Sequence, residues 1–263
     1  MKSFTHDGIR IAYHEEGVPD GPAVVFSHGF LMDHEMFSPN VAALRDTFRC
    51  ITWDQRGFGE TGAVANAFSY WDSARDLIAL LNHLEVTSAS LVGMSQGGFI
   101  SMRAALLAPE RFRAIALIST RSAPDDEQVK ASFEGLKEEW ASGGAANVAG
   151  PLSRLLLGEG YDAADWVAKW HRIGIPHFEH PVDALVHRDD ITSRLPEITL
   201  DAIVFHGGAD IAIDPAFGKA LAQGLPACRD FTCVDGAGHT PNLTHPDAVN
   251  PALRDFLTRY GWG

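Results

Sequence analysis

The stretch Leu91-Val92-Gly93-Met94-Ser95-Gln96-Gly97-Gly98 constrains this chain more than any other. Before it, Val86 to Val92 is short, carries branched residues and ends in the apolar pair Leu91-Val92. After it, Phe99 to Ala108 is rich in good helix formers. A strand must therefore turn into a helix within a few residues, across a G-x-S-x-G pattern. That setting predicts a nucleophile elbow, a turn so sharp that the serine backbone is strained and its hydroxyl stands clear. Gly93 and Gly97 fit because a Cβ at either place would collide across the turn. The helix start adds unpaired N–H groups and a positive dipole end beside Ser95. Taken alone, the pattern is equally a small residue in a turn, so the rest of the chain has to decide.

The flanking segments alternate. Gly8 to His14 places Ile9, Ile11 and Tyr13 on one side, the pattern of a half-buried strand. Ala23 to Ser27 is a continuous apolar run, as in a parallel strand buried on both faces. A helix is predicted over Ser38 to Asp46, with Ser38 as N-cap and Pro39 in its first position. Cys50 to Trp53 reads as a strand, and Ser69 to Leu84 as an amphipathic helix through Leu77, Leu80, Leu81 and Leu84. The elbow follows, then a strand at Ala114 to Ile118. After a break the rhythm resumes with a strand at Asp201 to His206, a helix at Pro215 to Gln223, a strand at Asp230 to Val234 and a helix at Pro246 to Tyr260. This order predicts an α/β fold with a mostly parallel, doubly wound sheet.

The break, Arg121 to about Asp190, holds no convincing buried strand. It reads as helical pieces at Asp126 to Trp140, Asn147 to Leu157, Asp162 to His171 and Pro181 to His187. Turns at Gly143-Gly144, Gly158-Glu159-Gly160 and Gly174-Ile175-Pro176 separate them. The expected organisation is a core over 1–120 and 191–263, with 121–190 inserted before the penultimate strand as a helical cap over the sheet's carboxyl edge. Its histidines, His171, His177, His180 and His187, lack the i, i+4 spacing of a zinc helix, and neither a cysteine nor a nearby carboxylate completes a set. Solvent-facing or pocket-lining roles are expected for them, and no metal.

The chain has 263 residues, 46% hydrophobic and 21% charged, which suits an ordinary globular protein with a substantial core. A net charge of −13 argues against nucleic acid and anionic membranes as partners. Met1 to Gly17 has no apolar signal core, and no stretch approaches a membrane span. Cys50, Cys228 and Cys233 are odd in number, so free thiols and a cytoplasmic location are expected, with a Cys228–Cys233 bridge disfavoured.

In an open parallel sheet, ligands bind at the carboxyl ends of the strands. Four segments put reactive groups there: the loop after Ser27, the elbow at Ser95, Asp210 and His239. A serine hydroxyl needs a base within hydrogen-bond reach and a third group to orient that base. His239 is the candidate base, aimed inward by a loop that Gly236 and Gly238 keep tight, and Asp210 is the candidate orienting acid. The backbone N–H groups of Gln96 and Phe30 are the candidate oxyanion donors. The competing bases His28 and His206 sit at strand exits beside glycine and are expected to order loops. Asp214, before Pro215, reads as a helix N-cap, and Asp54 as a loop-stabilising acid. Phe30, Leu31, Met94, Trp140 and Leu155 are expected to shape an apolar pocket, with the Gln96 side chain adding a polar contact.

Together, Phe26-Ser27-His28-Gly29-Phe30-Leu31, Trp53-Asp54-Gln55-Arg56-Gly57-Phe58-Gly59, Gly93-Met94-Ser95-Gln96-Gly97-Gly98, His206-Gly207-Gly208-Ala209-Asp210 and Gly236-Ala237-Gly238-His239 resemble the α/β-hydrolase superfamily over nearly the whole chain. The order Ser95, Asp210, His239 is that family's triad order. The resemblance is strongest to small bacterial esterases, cofactor-free perhydrolases and 3-oxoadipate enol-lactonase-like enzymes. It implies a serine hydrolase acting on a small carboxylic ester or lactone, with no cofactor, as a monomer or homodimer. Serine at position 95 disfavours the dehalogenase and epoxide hydrolase chemistries, which use aspartate there. Carbon–carbon bond hydrolases share the triad, and hormone receptors on this scaffold keep one too, so both stand as alternatives.

Overall fold

A computed structural model describes residues 1–173 and 178–262. The expected turn at Gly174-Ile175-Pro176 and the candidate His177 lie outside the described residues. The centre is one sheet of eight strands: β1 (Lys2–His6), β2 (Ile9–Gly17), β3 (Ala23–Ser27), β4 (Arg49–Trp53), β5 (Ala89–Met94), β6 (Phe112–Ile118), β7 (Asp201–Gly207) and β8 (Cys228–Val234). Their spatial order is β1-β2-β4-β3-β5-β6-β7-β8. β2 pairs antiparallel with both β1 and β4, and every pair from β4 onward is parallel. The continuous apolar runs are the fully buried strands β3 and β5 and, nearly so, β6 and β7. A run without polar alternation has no face to offer water, so it must be covered on both sides.

The cover comes from helices. α1 (Ser38–Leu44) and α10 (Pro246–Tyr260) pack on each other, and α10 lies against β6 and β7. α2 (Tyr70–His83) packs on α3 (Gln96–Leu107), which lies against β3, β5 and β6. Alternate residues of β5 show that these groups take opposite faces: Ser90 approaches Gly261 beyond α10, whereas Gly93 lies on Gly97 of α3. Between β6 and β7, among the described residues, come the α-helices α4 (Glu127–Gly143), α5 (Ala149–Leu157), α6 (Ala164–Trp170) and α7 (Glu179–Val186). α8 (Pro215–Gly224) covers β7 and β8, and the short α9 (Pro241–Thr244) leads into α10. Among the described residues no helix is long and apolar enough to cross a membrane.

One local signal acts as read: Asp214 caps α8 by accepting the Ala216 N–H at 2.8 Å. Two further caps emerge in the structure, Ser69 in a full capping box with Asp72 before α2, and Asp126 before α4. Other readings need correction. Ser38 is not an N-cap: its φ of −52° is already helical, because a 3-10 turn over His34–Phe37 starts the coil earlier. The capping role passes to Asp33, whose carboxylate accepts the Glu35 N–H at 3.0 Å. The strand β1 was not expected at all; it joins β2 through Asp7-Gly8, both at positive φ, the two-residue hairpin turn that an Asp-Gly pair favours. All three cysteines are free. Cys228 and Cys233 lie five residues apart along one extended strand, roughly 16 Å, well beyond the reach of a disulfide.

Candidate active site

β5 ends at Met94 and α3 begins at Gln96, leaving Ser95 alone to make the turn. Its φ of 50° and ψ of −116° are strained values for a residue with a Cβ. Three contacts hold the strain in place. The Ser95 N–H donates to Ile118 O of β6 at 2.8 Å, and the Ser95 carbonyl accepts from Thr120 Oγ1 at 2.8 Å and from the Gly98 N–H at 2.8 Å. The elbow also needs its glycines. A Cβ on Gly97 would stand 1.8 Å from Ser27 O and 2.7 Å from His28 O, both backbone atoms of the neighbouring strand end. Gly97→Ala is therefore expected to cost about 3 kcal/mol, as in severe overpacking, and to lower Tm by roughly 10 °C. Gly135→Ala, in open space within α4, is the control and should be neutral or stabilising. Thermal melts of the two variants check this; equal Tm values would contradict it.

Asp210 follows β7, and His239 follows β8. The two are buried together, and His239 Nδ1 lies 2.8 Å from Asp210 Oδ2. On its other side His239 Nε2 lies 2.9 Å from Ser95 Oγ. The second oxygen of Asp210 accepts the N–H groups of Ala212 at 2.8 Å and Ile213 at 3.0 Å. Burial alone would raise this carboxyl; the His239 charge, the His206 and His239 hydrogen bonds and the Ile213 N–H outweigh it and hold it well below the ordinary range. An ionised carboxylate can only accept, so the proton sits on His239 Nδ1, and Nε2 is left free to accept from the Ser95 hydroxyl. The structure thus brings together three side chains that are 144 and 29 residues apart in pairs.

The competing histidines order loops. His28 Nδ1 donates to Gly29 O at 2.8 Å, and its Nε2 accepts the Gln55 N–H at 3.0 Å. Burial pushes the His28 imidazole down, against the pull of Asp54 and the other nearby acceptors, so it stays neutral. His206 Nε2 lies 2.9 Å from Ile213 O and 3.1 Å from Asp210 Oδ2. His206 is a second imidazole on the same carboxylate, a role not anticipated; the signal was its i, i+4 spacing to Asp210 across a glycine-rich strand exit. Asp54 accepts the His34 and Glu60 N–H groups, each at 2.7 Å, and steadies its loop as read.

Phe30 lies just beyond β3 and Gln96 is the first residue of α3. Among the described residues no acceptor takes the Phe30 N–H, and Gln96, at a helix start, has no carbonyl one helical turn behind it. The Gln96 side chain does not serve the pocket as expected. Its Oε1 accepts from Tyr70 Oη at 3.1 Å and its amide donates to Gln55 Oε1, in a buried chain that continues from Gln55 Nε2 to His28 O at 2.7 Å. Around the Phe30 ring gather Phe58, Phe133 and Phe178, with centroids 5.6, 6.0 and 5.8 Å away. Trp140 stacks on Phe178 at 4.0 Å. Leu31 and Met94 are buried and Leu155 is half-buried, while α5 turns Leu152, Leu156 and Leu157 inward. Leu156 O accepts from Thr240 Oγ1 at 3.0 Å, beside His239.

A cavity of about 410 Å³ opens between the Leu31–Glu35 loop and Trp170, and one of about 330 Å³ between Arg121 and Phe217; neither is lined by Ser95, Asp210 or His239. One of the inserted histidines does meet carboxylates, contrary to expectation: His187 lies near Glu134 and Asp183. Lys137 stands between those two acids, 2.6 and 2.7 Å from them, and its ammonium supplies the charge they need.

The profile of the alpha/beta hydrolase fold family matches residues 22–246. BpoC of Mycobacterium tuberculosis, provisionally named a non-heme bromoperoxidase, is 29% identical over 95% of this chain and 98% of its own. 3-Oxoadipate enol-lactonase 1 of Acinetobacter baylyi is 23% identical over 95% of this chain and 94% of its own. Among solved structures, a thermophilic esterase from Thermogutta terrifontis superposes with a TM-score of 0.85 at 27% identity, covering 98% of this chain and 96% of that one.

Proposed function

This chain belongs to the α/β-hydrolase fold family, and within it we propose a serine hydrolase that cleaves a small carboxylic ester or lactone through an acyl-enzyme on Ser95. The observation that supports this most is one imidazole, His239, within hydrogen-bond distance of both Ser95 Oγ, 2.9 Å, and Asp210 Oδ2, 2.8 Å. On this reading His239 Nε2 takes the Ser95 proton as Oγ adds to the substrate carbonyl. The resulting oxyanion is held by the Phe30 and Gln96 N–H groups. The imidazolium, steadied by Asp210, then protonates the departing alkoxide, which in a lactone stays tethered to the acyl group. Water, deprotonated by the same nitrogen, attacks the acyl-enzyme and releases the acid and Ser95.

An ester or lactone fits better than a halide or an epoxide, because position 95 is serine rather than aspartate. The aromatic cluster around Phe30 suits a modest apolar acyl group, and the helices of 121–190 act as the cap that selects it. The esterase of Thermogutta and the enol-lactonase of Acinetobacter support the same choice by their names.

Hydrolysis of p-nitrophenyl esters of increasing acyl length tests the reading. Short chains are expected to turn over and long ones to fail. Turnover confined to long chains, or dependent on an added metal, would contradict it. The rate should also depend on pH in one direction. An imidazolium cannot accept the serine proton, so kcat/KM is expected to fall on acidification. Asp210 stays ionised through that window, because its carboxyl is held below the ordinary range. One protonation should thus describe the acid limb; a profile flat from pH 5 to 8 would remove His239 from the role.

A further inference from the structure

The loop that carries the Phe30 N–H is hydrogen-bonded at its backbone by a side chain of the inserted helices. Trp170, at the end of α6, is fully buried, and its indole Nε1 donates to Leu31 O at 2.7 Å. That carbonyl belongs to the Leu31–Met32 peptide, whose N–H donates to Gly29 O at 3.2 Å. Gly29 O in turn belongs to the Gly29–Phe30 peptide, whose N–H is that of Phe30. Three groups thus stand in series: the indole N–H, the Leu31–Met32 peptide and the Gly29–Phe30 peptide. The Gly29 carbonyl also accepts His28 Nδ1–H at 2.8 Å. Each accepted bond fixes the plane of its peptide and polarises the N–H at the far end of the same unit. The turn also needs an anchor, because Leu31 has a φ of 62°, which a leucine leaves readily if nothing holds it. Next to Trp170, Lys169 bonds Asp33 at 2.7 Å and Glu35 at 2.6 Å, seating α6 on the same loop.

We propose that Trp170 is a positioning residue for the oxyanion donor: through Leu31 and Gly29 it aims the Phe30 N–H, so that stabilisation of the transition state depends on the seating of α6 against the loop. The inference rests on the serine-hydrolase reading above. Trp170 bonds the Leu31 carbonyl and none of Ser95, Asp210 and His239, so its effect is expected on the charged intermediate and not on substrate binding.

The test compares wild type with Trp170→Phe, using a short-chain ester substrate and two inhibitors built on it. A trifluoromethyl ketone adds Ser95 Oγ to its carbonyl and leaves an oxyanion; the matching secondary amide binds without adding. Because the donor is misaimed rather than removed, kcat is expected to fall about tenfold, less than for outright loss of an oxyanion donor. Affinity for the ketone should weaken by the same factor, while KM and affinity for the amide stay within about twofold. Unchanged kcat and ketone affinity, or equal weakening of ketone and amide, would overturn the proposal. If Trp170→Phe does not fold, benzothienylalanine at position 170 keeps the ring shape and replaces the N–H with sulfur; the same split is expected, and its absence counts against the proposal. Failure of the underlying reading looks different: Ser95→Ala would keep its rate, or the wild type would bind ketone no better than amide.

Discussion

Ser95→Ala is expected to lower kcat for a short-chain ester by about 10⁶-fold, with KM little changed, as for loss of the nucleophile in a serine protease. Alanine keeps the elbow intact, because the Ser95 backbone is held by Ile118, Thr120 and Gly98 rather than by its hydroxyl. It also leaves the Phe30 and Gln96 N–H groups in place. A small residue of catalysis over water should therefore persist, carried by those donors and by substrate positioning. Stopped-flow or prolonged steady-state assays check the ratio. A loss of less than tenfold, in a variant that melts like wild type, would show that another group attacks the substrate.

Asp210→Asn is expected to cost about 10⁴-fold in kcat, the scale set by tautomer inversion in such triads. The physical cause is specific to this geometry. One carboxylate oxygen serves Ala212 and Ile213, so the asparagine carbonyl is drawn there, and its NH₂ group faces His239 Nδ1 and His206 Nε2. A donor opposite Nδ1 forces the His239 proton onto Nε2, where it meets the Ser95 hydroxyl and blocks proton transfer. The same change weakens the fold, since a second imidazole loses its acceptor. The pH dependence of that weakening has a definite sign. The Asp210 carboxyl is held below its ordinary value, so it contributes stability above about pH 3.9 and loses it as pH falls toward the folded-state value. The stability gap between wild type and Asp210→Asn should thus narrow on acidification below that point. Chemical denaturation at pH 7 and pH 3 measures it, and a gap that widens in acid would contradict the assignment.

The parts of the fold that sequence reading recovers are those whose pattern is local. β3 and β6 are apolar without interruption, and α2 carries its leucines at helical spacing with a capping box before them. Ser95, Asp210 and His239 are legible because each falls just past a strand, and parallel strands deliver their exits to one edge. What escapes is set by partners elsewhere in the chain. β1 is an edge strand that half-buries only Phe4 and His6, so it has little hydrophobic signal, and its one strong cue is the Asp7-Gly8 turn. The inward face of α5, Leu152, Leu156 and Leu157, is not fixed by the sequence, because a leucine run leaves the helical phase open. The inward turn of the Gln96 side chain depends on Tyr70 and Gln55, and no spacing within the elbow reports them. Trp170 and Leu31 are 139 residues apart, and nothing near either predicts the bond between them.

An acyl group carried on Ser95 is the intermediate on which the proposed reaction turns. Mixing the protein with excess p-nitrophenyl ester, quenching in acid within the first turnovers and mapping the modified peptide by mass spectrometry would reveal it. One acyl group per chain is expected on the peptide containing Ser95, absent from Ser95→Ala. Steady turnover with an adduct on another residue, or turnover that survives in Ser95→Ala, would contradict it.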